Sequence, residues 1–294
     1  MSDFVQQQHT ICNFSNEESW VILSPIEQSI KQKIESVGTP LKDWDIKIYR
    51  GVLTGYNDAF IISTEKRDEI LANCQTEDER LRTAELIRPI LRGRDIKRYG
   101  YDWANLWLIN THNGVKGIKP RIDINEYPAV KAHLDKHWDK ISKRADKGDT
   151  PYNLRNCAYL DDFMQPKVMY PNMTKYLPFY YDEKGFYQND KSFMITGKCV
   201  AYLTAFLNSS LFKYCYLNNF PELLGGTREL RKIFFDKIPV LEVNESINMQ
   251  MKTMLLDIQK EYTKSKAVAI DTMLFDLYNL SKEERELIGF VEIE

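Results

Sequence analysis

The sequence predicts an α+β fold, a strand-rich mixed-sheet body followed by a helical C-terminal part. Before about residue 197, short segments alternate in polarity or are β-branched. After it, apolar residues recur with a helical period. Runs of strands followed by runs of helices suit α+β layering better than alternating βαβ units. The 294 residues suffice for one large domain or two modest ones, and 43% apolar with 28% charged residues is ordinary for a globular chain. The expected division is a loose polar leader over 1–20, a body over 21–197 and a helical region over 198–294.

Residues 1–20 carry Gln6, Gln7 and Gln8 in a row and no apolar period. Ser24 precedes Pro25, and Ile26, Ile30 and Ile34 recur every four residues, which predicts a helix with Ser24 as N-cap. Asp45 to Arg50 alternates and reads as a strand. Gly51 and Gly55 bracket a turn before a second strand, Ala59 to Ser63. Glu77 to Leu91 reads as a helix whose last turn Pro89 disturbs. Leu106 to Asn110 is a third strand. Glu126 to Lys147 is the clearest helix of the first half, with Tyr127, Val130, Leu134, Trp138 and Ile141 on one face. Lys167 to Tyr170 reads as a strand ended by Pro171, Pro178 to Gln188 as a hairpin around Gly185, and Ser192 to Thr196 as a further strand. Val200, Leu203, Phe206, Leu207 and Leu211 mark an apolar helix, and Ile247 to Tyr262 a long amphipathic one. The last helix starts at Ser281, with Glu284 completing a capping box.

The five cysteines are widely spaced and form no CxxC pair, which argues for reduced thiols in the cytoplasm and against a zinc ribbon. The longest nearly unbroken apolar run, Cys199 to Leu207, is far short of the roughly 20 residues a membrane helix needs. A net charge of −2 gives no overall basic balance. The middle is mildly basic, with 15 Lys and Arg against 12 Asp and Glu over residues 101–200. GxGxxG, GxxxxGK[ST] and GxSxG are all missing. His133 and His137 stand at a spacing that can hold a metal, but without the HExxH glutamate a helix face explains them better. Asp161, Asp162 and Lys167 loosely resemble a magnesium-dependent nuclease, although no acidic residue stands just ahead of the lysine.

Three segments carry a binding signal. In the first, Tyr49 to Phe60, two glycines let the backbone approach a partner, and Arg50, Thr54 and Asn57 supply polar groups. The second, Arg88 to Arg98, holds Arg88, Arg92, Arg94, Lys97 and Arg98 against one acid, which suits phosphate contact. The third, 143–175, mixes Lys143, Arg144, Arg155, Lys167 and Lys175 with Asn153, Tyr152 and Tyr170. Cations interleaved with amides and aromatics suit base edges as well as backbone. Asn57, Asn153 and Arg155 are the base-edge candidates, with a surface bridge from Arg155 to Asp161 or Asp162 as the competing reading.

The order YRGVLTGYNDAFII, IRPILRGRDIKRYGY, QPKVMYPNMT, YLTAFLNSSLFKY and DKIPV resembles the TaqI-like C-terminal specificity domain. That is the target recognition domain of Type IIG restriction–modification enzymes and related adenine-N6 DNA methyltransferases. The resemblance runs over roughly residues 20–290 and extends to the closing IDTMLFDLYNLSKEERELI. It implies a module that binds double-stranded DNA and works with a methyltransferase domain. That domain carries an NPPY tetrapeptide and uses S-adenosylmethionine, with magnesium where a nuclease is also present. This chain has no NPPY and no glycine-rich cofactor loop, so it is expected to bind no cofactor itself and to be a recognition piece or subunit. Two other readings stay open: a stand-alone nuclease using Asp161, Asp162 and Lys167, and an interaction module whose helices over 246–290 dimerise.

Overall fold

The computed structural model describes residues 23–217 and 220–291, and the expected leader over 1–20 lies outside them. Its first helix, Pro25–Val37, opens on a capping box. The Ser24 hydroxyl accepts from Glu27 N, and Ser24 N donates to the Glu27 carboxylate. A second box at Ser281 and Glu284 opens the last helix, Lys282–Ile288. Glu284 also accepts from Ser29 Oγ and Lys33 Nζ, both at 2.7 Å, so one carboxylate caps the last helix and ties it to the first.

Two four-stranded sheets form the body, which makes the molecule the mixed α+β structure expected. The first is antiparallel, in the order Tyr180–Asp182, Lys167–Pro171, Ser192–Gly197, Ile46–Arg50. The second, in the order Tyr187–Gln188, Ile87–Leu91, Leu106–Ile109, Ile61–Ser63, has one parallel contact, between its first two members. Successive residues of a strand point to opposite faces, and the first sheet uses both. Ile48, Val168 and Ile195 turn to the core shared with the C-terminal helices. Tyr49 and Met194 turn to the core of the second sheet. The two main cores thus divide along this sheet and not at residue 197. The helix Pro25–Val37 packs its Ile30 and Ile34 into the C-terminal core.

In the helical part, Val200–Leu207 lies buried between the first sheet and Glu245–Lys260, and Lys264–Leu277 packs on Ser210–Tyr216. Met251, Leu255, Ile258, Ile270, Leu274 and Phe275 are all buried there. The apolar faces over 246–290 are therefore mostly spent inside the molecule, while Met249, Tyr262, Leu287 and Phe290 stay exposed.

Four local expectations need correction. The helix from Glu77 ends at Leu86, and Ile87–Leu91 is a strand. Ile87, Ile90 and Leu91 are all deeply buried, and sheet packing overrides the helical reading. The single helix over 126–147 is two short ones, Pro128–Asp135 and Trp138–Ile141. His137 leaves helical geometry between them, and beyond Ser142 the side chain of Arg144 organises a loop instead. Tyr180–Asp182 and Tyr187–Gln188 do not pair, because each joins a different sheet. Gly185 does make the turn between them, at φ +75°. Finally, Asn57–Phe60 is a helical turn, and the second strand is only Ile61–Ser63.

Candidate nucleic-acid interface

The segment after the strand Ile87–Leu91 is shaped by Asp95. Its buried carboxylate accepts from Arg92 N, Nε and Nη2 at 2.8, 2.9 and 2.8 Å, which folds Arg92 back on its own turn. That pairing holds the Arg92 guanidinium above its ordinary pKa. Arg98 is also occupied. Its Nε and Nη2 donate to the Asn208 carbonyl at 3.1 and 2.7 Å, tying this loop to the helical part. Arg94 and Lys97 are left pointing to solvent. Lys97 donates to the Arg94 carbonyl at 3.1 Å and has the exposed Asp102 at 3.6 Å, an ion pair worth little.

These residues edge a cleft of about 880 Å³ whose far wall is the segment Pro171–Pro178. Arg94, Lys97, Arg98, Lys175 and Lys213 line it, with Met173 and Tyr176, and among the described residues no carboxylate does. Tyr176 and Met173 are largely exposed. The structure thus brings Arg94, Lys97 and Arg98 together with Lys175, which lies about 80 positions on in the chain. Lys213 was not singled out from the sequence, because it sits in an apolar helix; it is the exposed residue on a helix that otherwise turns inward. Lys191 was missed too. Its carbonyl lies 2.8 Å from where a Cβ on Gly93 would stand, and its exposed ammonium lies 3.5 Å from the Asp190 carboxylate. Arg50 is half-exposed beside it, donating to the Asp190 carbonyl at 2.8 Å.

Five of the anticipated contact residues are structural instead. Lys167 is fully buried, with Nζ 2.5 Å from Asp182 Oδ2 and 2.6 Å from the Phe163 carbonyl. Burial pushes its pKa down even with that partner. Tyr170 is buried among Phe179, Phe193 and Phe235. Arg144 donates to the carbonyls of Thr54, Asp146, Pro151 and Asn153, and its guanidinium stacks on Phe60. Burial lowers its pKa to about 10. Asn153 is buried, bonded to the Ile122 carbonyl and to Thr150. Thr54 is buried and donates to Asn57 Oδ1 at 2.6 Å. Buried groups with such partners do not reach a duplex without unfolding their surroundings. Gly51 does allow a close backbone approach, but the partner is Asn189 of the same chain. Asn57, Lys143 and Arg155 remain exposed. Arg155 pairs with Asp146 at 3.1 Å, and not with Asp161 or Asp162.

Asp161 is exposed and faces Lys119, Asp162 accepts from Thr196, and Lys167 belongs to Asp182, so the three do not converge. His133 is buried, its Nε2 bonded to the Ala59 carbonyl. Among the described residues no three His, Cys, Asp or Glu side chains group as a metal site. Burial lowers the pKa of His133 and of His112, whose Nδ1 accepts from Gly114 N. The unfolded chain takes up these protons near about pH 6.5, while the folded chain resists them. Stability is therefore expected to be full above that pH and to fall as pH drops below it. The melting temperature of His133→Gln between pH 7.5 and 5 should fall less steeply than that of the wild type.

A family model described as the TaqI-like C-terminal specificity domain matches residues 88–240, just over half of the chain. The Type II methyltransferase M.PaeR7I of Pseudomonas aeruginosa is 21% identical over 280 residues, which cover 92% of this chain and 45% of that protein. The chain thus spans less than half of that relative's length. Among solved structures, the type IIG restriction endonuclease BpuSI matches with a TM-score of 0.52 at 13% identity, over 87% of this chain and 34% of that one. The type IIL restriction-modification enzyme MmeI, solved in complex with DNA, matches with a TM-score of 0.56 at 13% identity, over 83% and 34%. Both structures share the fold of this chain.

Proposed function

The chain belongs to the TaqI-like C-terminal specificity domain family, and on that footing we propose that it selects a double-stranded DNA target for a catalytic domain outside these 294 residues. The observation that carries this reading is the cationic cleft, which five cations line with no carboxylate among the described residues. Phosphates neutralise such a cluster, and phosphate contacts set position and register. Exposed side chains elsewhere on the body, Asn57 and Arg155 among them, are our candidates for base edges. The catalytic partner we propose is an adenine-N6 methyltransferase domain using S-adenosylmethionine, with magnesium where it also cleaves. The cytoplasm is the expected compartment; no described helix is long and apolar enough to cross a membrane. We assign no chemistry to the chain itself. The nuclease reading lacks its lysine, since Lys167 is sealed inside the sheet.

The test is a titration of a labelled mixed-sequence duplex with the chain at several salt concentrations. Four exposed cleft cations predict a log–log slope of about −3 to −4. No binding at low salt, or binding insensitive to salt, would remove the cleft from the account.

A further inference from the structure

We infer that the turn between Val115 and Lys119 is a wedge that enters the duplex, with Ile118 as the inserted side chain; this rests on the duplex-binding reading above. Val115 and Lys119 exchange two backbone hydrogen bonds, at 2.8 and 2.9 Å, and Ile118 N donates to the Val115 carbonyl at 2.9 Å. Only three residues close the turn, and Gly117 takes the left-handed conformation it needs, φ +77°. At its base a Cβ on Gly114 would stand 2.3 Å from the Lys119 carbonyl, so the two arms touch backbone to backbone. The turn is therefore narrow and braced.

Ile118 at its tip is 82% exposed and belongs to no core. A lone exposed isoleucine is ordinary. This one is set among Lys116, Lys119 and Arg121, and residues 113–121 contain no acid. Lys119 and Arg121 have only exposed partners, Asp161 at 3.7 Å and Asp149 at 3.3 Å, which phosphates can replace at little cost. The turn flanks a cleft of about 780 Å³ in which Asn113 and Asn156 supply amides. Val115, Pro120 and the exposed carboxylate of Asp149 also line this cleft. An apolar side chain at the tip of a braced turn with three cations in six residues is the make-up of proteins that slip such a group between base steps and kink the duplex.

The experiment uses the full chain and duplexes that it has enriched from a randomised pool, with 2-aminopurine placed at successive positions. Fluorescence at one step should rise several-fold on binding. Ile118→Ser should abolish that rise and weaken binding by about tenfold, the worth of one buried isoleucine. Ile118→Leu should keep both. Because the side chain is exposed, neither variant should alter the fold. Salt-dependent binding in which no step responds, or in which Ile118→Ser behaves as wild type, would overturn the wedge and leave duplex binding standing. If the wild-type chain enriches and binds no duplex, both fall.

Discussion

Replacing Arg94, Lys97, Lys175 and Lys213 together by alanine is expected to lower duplex affinity by about two to three orders of magnitude at low salt. The same change should flatten the salt slope by about three units or more. The four side chains are exposed and line one cleft, so their removal should leave the fold intact. Arg92 and Arg98 supply the contrast. Each is as cationic as Arg94, but Asp95 and the Asn208 carbonyl hold them. Arg98→Ala should therefore appear mainly as a loss of thermal stability. Fluorescence anisotropy at stepped salt, with melting curves on the same samples, separates the two effects.

Lys167→Met should destabilise the chain by about 3–5 kcal/mol, because it leaves the buried Asp182 carboxylate without its cation. The two residues sit opposite each other on neighbouring antiparallel strands. Asp182 also accepts from the backbone of Lys184 and Phe186, so it shapes the turn that follows. The double variant Lys167→Met/Asp182→Asn should recover a large part of the loss, since no unpaired charge then remains. Below its melting transition, Lys167→Met should bind duplex with the wild-type salt slope. A change in slope without a change in stability would return Lys167 to the phosphate-contacting set.

The sequence made local features legible where the signal is local. Ser24 as an N-cap and Ser281 with Glu284 as a capping box are readable from a few residues each, and both formed; Glu27 makes the first a box as well. Alternation marked the strand Ile46–Arg50, and the segment read as a strand over Ser192 to Thr196 is one, Ser192–Gly197. Non-local pairing was hidden. Pro89 suggested a damaged helix, whereas the partners of Ile87–Leu91 are Leu106–Ile109 and Tyr187–Gln188. A helical period over 126–147 could not show that Arg144 would recruit four carbonyls from separate loops. Among the candidate contact residues, charge was read correctly but burial was not. The middle of the chain is basic, yet Lys167 and Arg144 use their charge inside the fold. Lys213 reaches the cleft from a helix that reads as core. The run Lys116-Gly117-Ile118-Lys119-Pro120-Arg121 did carry a signal, cations punctuated by glycine and proline, in a stretch assigned no element.

The most direct test of the central claim is selection from a randomised duplex pool by the chain alone, followed by sequencing. A module that reads DNA should enrich one short motif, with each wrong base pair costing about 1–3 kcal/mol. Arg155→Ala should change the motif at one position if its guanidinium reads a base, and should leave the motif untouched if it serves only Asp146. Enrichment of a single motif, lost in the fourfold cleft variant, is the result expected. A pool that binds in a salt-dependent way but stays random through successive rounds would contradict the claim, because the cleft would then hold backbone while the chain specified nothing.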